Sequence, residues 1–149
     1  MKVLILGYGA TGKSIEDYLL SKNISSYAIW DDYSNDVSPN RTENNLDNIN
    51  TETYNIVYIS PGIAPDHPVI SHIYKYKLDI PIETDLDLFF TSSNDTPLPK
   101  IIGITGTNGK STCVEVLKEI ILSTGVKAEA CGNVGRPILE CSPKISDNE

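Results

Sequence analysis

Residues 2–6, KVLIL, form a continuous apolar run without alternation, the pattern of a strand buried on both faces. A glycine turn follows, after which Ile15, Tyr18, Leu19 and Lys22 recur at helical spacing, with Asn23 as a stop. A second apolar run, 27-YAIW-30, ends at Asp31 and Asp32. Strand, helix and strand in this order predict parallel strands joined by a right-handed crossover. Residues 34–53 are polar and read as loop with a short helix at most. A third strand, 55-NIVYI-59, runs into the turn signal Ser60-Pro61-Gly62. The pattern continues with a helix over 66–77, a fourth strand at 79-DIPI-82 and a short helix over 85–90. Pro81 marks that fourth strand as an edge or an interrupted one.

The pattern then breaks. Residues 91-TSSNDTPLP-99 are polar, proline-bearing and without period, as in a linker. Beyond them strand, loop and helix recur. A strand is expected at 100-KIIGIT-105 and a glycine loop after it. The helix that follows carries Cys113, Val116, Leu117, Ile120 and Ile121 on one broad face, and Gly125 stops it. A last strand is expected at 126-VKAEAC-131, leading into 132-GNVGRP-137. The domains are therefore placed at 1–92 and 100–149, joined by a linker over 93–99. Two strands and one helix are too few for a doubly wound domain to stand alone. The chain therefore reads as the front part of a longer protein, its second unit short of partners for its apolar faces and prone to disorder or self-association.

Composition narrows the function. With 40% hydrophobic residues a core can form, and no run approaches the roughly 18 apolar residues of a membrane helix. The N-terminal apolar run breaks at Gly7, too early for a signal peptide, so a cytoplasmic protein is expected, with no membrane partner. The net charge of −8 argues against a nucleic-acid surface. An anionic ligand would have to be held locally, by backbone N–H groups, helix N-termini and placed lysines. The three cysteines show neither CxxC nor metal spacing and read as small buried hydrophobes.

The candidate chemistry lies in two glycine loops. In 7-GYGATG-12, Gly7, Gly9 and Gly12 match G-x-G-x-x-G between a strand and a helix. The first glycine allows the turn, the second lets a phosphate approach the backbone, and the third lets helix pack on strand. Thr11 adds a hydroxyl at the helix start. Asp31 lies about 20 residues on, where a dinucleotide fold carries its ribose-binding acid. On these residues alone, NAD binding leads. The second loop, 103-GITGTNGKST-112, ends as a P-loop does: Lys110 is set to reach phosphates and Ser111 to bind Mg²⁺. The strict P-loop pattern requires glycine at position 104, which is Ile104, so the loop is a variant.

The variant G-T-N-G-K-S-T resembles the ATP loop of the Mur ligase family, the peptidoglycan-precursor amide ligases. Within that family the G-Y-G-A-T-G turn, Asp31, the segment S-P-G-I-A-P-D-H-P at 60–68 and G-N-V-G-R-P at 132–137 resemble the member that adds D-glutamate. The resemblance covers nearly the whole chain, in order. It implies an α/β fold: a Rossmann-like parallel-sheet domain followed by the start of a P-loop ATP-binding domain. It also implies that the two loops hold different ligands. The UDP moiety of UDP-N-acetylmuramoyl-L-alanine would lie against Gly9, Ala10, Thr11 and Gly12, with Asp31, Asp32, Ser60, Pro61 and Gly62 on the uridine side and Asn133 near the muramoyl group. ATP would lie on Gly106, Thr107, Asn108, Gly109, Lys110, Ser111 and Thr112, with Lys110 as the catalytic cation and Ser111 on Mg²⁺. Asp32 and Tyr33 depart from the family's commoner Asp followed by a small polar residue.

The reaction implied is ATP-dependent activation of the alanyl carboxylate to an acyl phosphate, then attack by the amine of D-glutamate. The family's remaining catalytic groups and its amino-acid-binding domain would lie past residue 149. On that footing the chain is an inactive part of an enzyme that is monomeric when complete, and His67 and His72 have no catalytic role. Two other readings stand beside it. An NAD-dependent oxidoreductase would leave the second loop unexplained, and a non-catalytic UDP-sugar or nucleotide module would have little use for Lys110 and Ser111.

Overall fold

Val3–Leu6 (β1), Tyr27–Trp30 (β2), Ile56–Ile59 (β3) and Ile82–Thr84 (β4) form one parallel sheet in the order β2-β1-β3-β4. This is an α/β, Rossmann-like arrangement. The computed structural model describes residues 2–33, 41–92, 99–132 and 136–141. The register sets Leu4 beside Ala28 and Val57, and Ile5 beside Ile29 and Tyr58. Parallel neighbours require crossovers, which are supplied by helix α1 (Ala10–Ser21) between β1 and β2 and helix α2 (Pro68–Lys75) between β3 and β4.

Both faces of the sheet are covered, which is why β1 reads as an unbroken apolar run. Alternation along the strands sends Leu4, Leu6, Ala28 and Val57 into one core with Ile49, Tyr54 and Val69, Ile70 and Ile73 of α2. Ile5 faces the other way, toward α1, whose Ile15 and Leu19 are fully buried. Each such side chain contributes about 1.5–3 kcal/mol by leaving water. Past the end of helix α1, Asn23 lies in the left-handed region at φ 58°.

Two details depart from the sequence pattern. The fourth strand forms at 82–84 rather than 79–82. Pro81 has no N–H to give, but its carbonyl still accepts from Val57 N at 2.9 Å. Between β2 and β3, the polar stretch lays residues 41–43 along the outer side of β2. Ile29 N donates to Arg41 O at 2.7 Å and Glu43 N donates to Ile29 O at 2.8 Å. The carboxylate of Glu43 then accepts from Tyr54 Oη at 2.7 Å, from Asn48 Nδ2 and from the N–H groups of Asn44 and Asn45. Burial would raise its pKa, but these donors outweigh that and hold the carboxyl below its ordinary value.

The chain divides into two compact units, Met1–Leu88 and Phe89–Glu149, and helix α3 (Asp85–Ser92) spans the boundary. In the second unit the sequence pattern fails in part. Helix α4 forms over Lys110–Ser123, and Gly125 follows at φ 84°. The strands expected at 100–105 and 126–131 do not form; among the described residues the pairing there is a single bridge between Cys131 and Arg136. A strand exists only as part of a ladder, and among the described residues none pairs with 100–105. The face read from the sequence is on α4 but unburied: Val116 is 53% and Ile120 56% exposed. The cysteines are not core residues either, since Cys113 is exposed and Cys131 and Cys141 are half-buried. Most of the expected linker, residues 93–98, lies outside the described residues. Among the described residues no helix is long and apolar enough to cross a membrane.

Candidate functional site

The first glycine turn sits at the C-terminal end of β1, where the chain order reverses between β2 on one side and β3 on the other. In open parallel sheets, ligands bind at such a switch point. Gly7 takes φ 90°, and its N–H donates to Trp30 O at 2.8 Å. Its carbonyl accepts from Ser60 Oγ at 2.9 Å, so the ends of β1, β2 and β3 are tied together at this residue. Gly12 is required by contact: a Cβ there would lie 2.1 Å from Gly7 O. Around Gly9 the space is open, with nothing within 4 Å of a Cβ position.

Helix α1 begins just beyond, with Gly9 as N-cap, no side-chain cap and no acid in its first turn. Its leading N–H groups, those of Ala10, Thr11 and Gly12, thus remain available to an anion. Tyr8 is clamped to the same helix, its hydroxyl donating to Glu16 Oε2, while Tyr27 Oη donates to Glu16 Oε1 at 2.5 Å. Burial, then the bond to Glu16, pushes Tyr27 up to about 12 and raises Tyr8 as well. The unfolded chain therefore releases these protons first, near the ordinary tyrosine pKa of about 10. Stability is expected to fall as pH rises from about 10 to about 12, and urea unfolding across that range will measure it. A flat profile would mean that the two phenols are not held as described.

Across the turn stand two carboxylates. Asp31 Oδ2 accepts from Tyr8 N at 2.5 Å and Oδ1 from Tyr33 N at 2.9 Å, so Asp31 fastens the glycine turn to the end of β2. Asp32 Oδ1 accepts from Trp30 Nε1 at 3.0 Å, and its Oδ2 lies 3.1 Å from His67 Nε2. Ser60 begins a turn closed by Ile63 N donating to Ser60 O at 3.0 Å, with Pro61 and Gly62 exposed at its crest. The structure therefore brings Gly9, Ala10, Thr11, Gly12, Asp31, Asp32 and Ser60 to one end of the sheet. One side of this end carries the backbone N–H groups of a helix start, and the other carries two carboxylates. Asn133, the remaining residue of this set, lies outside the described residues. Sequence reading passed over Tyr8 and Glu16 and considered His67 only as a catalytic residue; all three hold these elements in place. Tyr8 lies inside the motif, but its partnership with Glu16 is a tertiary fact.

The second loop is built in the same manner within its own unit. Gly106 takes φ 149° and Gly109 takes φ 76°, both favouring glycine. Helix α4 starts at Lys110, with Gly109 as N-cap, no side-chain cap and no acid in the first turn. Lys110 Nζ folds back over the loop and donates to Gly106 O at 2.5 Å, with Thr107 O at 3.4 Å. Ser111 and Thr112 are exposed in the first helical turn. Among the described residues no group of three or more His, Cys, Asp or Glu is placed to hold a metal ion.

A parallel sheet with a glycine turn at its switch point and carboxylates at the neighbouring strand end defines the first unit as Rossmann-like. No protein-family model matches the chain. It is, however, 37% identical over 138 residues to the UDP-N-acetylmuramoylalanine–D-glutamate ligase of Francisella philomiragia subsp. philomiragia. It is 35% identical over 138 residues to the ligases of the same name from Francisella tularensis subsp. tularensis and subsp. holarctica. Each match covers 93% of this chain and 30% of the relative. The chain is thus homologous to these ligases over nearly its whole length and spans about 30% of theirs.

Proposed function

We propose that the chain carries the UDP-substrate unit and the ATP loop of an ATP-dependent ligase that joins D-glutamate to UDP-N-acetylmuramoyl-L-alanine in peptidoglycan precursor synthesis. The observation that carries this reading is the homology to ligases of that name over 93% of the chain. The geometry supports it. At the first loop, the open space over Gly9 and the uncapped start of α1 suit a diphosphate, while Asp31 and Asp32 suit the hydroxyl and N–H donors of a nucleoside. NAD would find similar groups there, but an oxidoreductase has no use for the second loop.

At the second loop, the uncapped start of α4, two glycines at positive φ and an ammonium over the loop carbonyls fit a nucleotide triphosphate. The N–H groups of 106–112 would hold its phosphates, Lys110 would neutralise their charge, and Ser111 would take the Mg²⁺. ATP with Mg²⁺ supplies phosphoryl activation of the alanyl carboxylate, which makes it open to the amine of D-glutamate. The chain's own contribution is positioning and charge neutralisation, the larger part of catalysis in phosphoryl transfer.

Calorimetric titration of this chain with UDP-N-acetylmuramoyl-L-alanine, with NAD in parallel, tests the assignment. Saturable heat with the UDP compound alone is the expected result. Heat with NAD alone would overturn the ligase reading.

A further inference from the structure

We propose that His67 is a positioning residue: it fixes the Asp32 carboxylate so that Asp32 presents a set hydrogen-bond acceptor to the nucleoside end of the ligand. The inference rests on the proposed UDP site but concerns a residue outside it. His67 is buried, 8% exposed, and stands at the N-cap of α2, where its Nδ1 accepts from Val69 N at 3.2 Å. A ring nitrogen that accepts carries no proton, so the imidazole proton is on Nε2. That nitrogen faces Asp32 Oδ2 at 3.1 Å and is the donor of the pair.

The other oxygen of Asp32 accepts from Nε1 of Trp30, the chain's single tryptophan, whose ring meets that of His67 edge-on at 6.3 Å between centroids. Asp32 is thus held from two sides, by the end of its own strand β2 and by the start of α2, while its side chain stays 45% exposed. An acidic side chain free to rotate would lose rotamer entropy on meeting a ligand; one already held loses less. A shorter hydroxyl side chain at position 32 would not span from the indole to the imidazole.

The test is a double-mutant cycle in this chain with His67→Asn and Asp32→Ala, with UDP as the titrant. Asparagine keeps the helix cap and cannot reach Asp32, so folding should persist, which circular dichroism checks. Each single variant is expected to weaken UDP by about tenfold, and the double variant no further, because both changes remove one arrangement. Fully additive losses, or wild-type affinity in His67→Asn, would overturn the proposal. A second readout needs no ligand. The indole N–H resonance of Trp30 should shift in His67→Asn and in Asp32→Ala alike, and an unmoved resonance in His67→Asn would also sink the inference. If the wild-type chain does not bind UDP, the UDP-site reading fails, and the indole resonance still decides the link from His67 to Asp32.

Discussion

The Gly12→Ala variant is expected to lose about 3 kcal/mol of folding stability, the upper end for an overpacked site, and its first glycine turn with it. The reason is a single contact. A methyl group at residue 12 would lie 2.1 Å from the carbonyl oxygen of Gly7, and that carbonyl is already held by Ser60. Neither backbone segment can yield without separating α1 from β1. Gly9→Ala provides the contrast: its φ of −75° is ordinary and its surroundings are open, so stability should change little. Its methyl would instead stand in the space over the turn, and on the proposed function it should weaken UDP binding. Urea unfolding of both variants beside UDP titration separates the two effects. A Gly12→Ala protein as stable as the parent would show that the helix does not need this close approach.

On the proposed function, Lys110→Ala is expected to abolish ATP turnover in the complete enzyme while UDP-substrate binding stays largely intact. Lys110 is the first residue of α4, where alanine is a good helix former, so the helix itself should not suffer. What is removed is the ammonium over the carbonyls of Gly106 and Thr107. The loss falls on charge neutralisation at the phosphates, which carries most of catalysis in phosphoryl transfer. Parallel measurement of ATP turnover and UDP-substrate affinity checks the assignment. Equal loss of both would mean that the two glycine loops do not serve separate ligands.

The first unit was legible because its signals are local. A doubly covered strand must be apolar throughout, so 2-KVLIL-6 and 27-YAIW-30 declared themselves strands, although only the first is central and the second lies at the edge of the sheet. Gly7 and Gly12 declared a turn that only glycine can make. The second unit shows the limit of the same reasoning. Residues 100–105 have a strand's composition, but composition does not provide a partner. The face of α4 was correctly drawn from its spacing, yet spacing says nothing about what covers it. Position 32 shows another limit: the sequence marked Asp32 as a departure, and only the fold brings His67, thirty-five residues on, within reach of it.

The residues laid along β2 have a consequence beyond local packing. An exposed sheet edge is a row of unpaired N–H and C=O groups that a strand from another molecule can join. Here Arg41 and Glu43 already occupy the outward groups of Ile29, and the opposite edge is three residues long and begins beside a proline. The sheet is thereby closed to growth at both margins. A strand from another molecule therefore finds little to join on the sheet of the first unit, and the helices and loops of that unit are left as its surfaces for association.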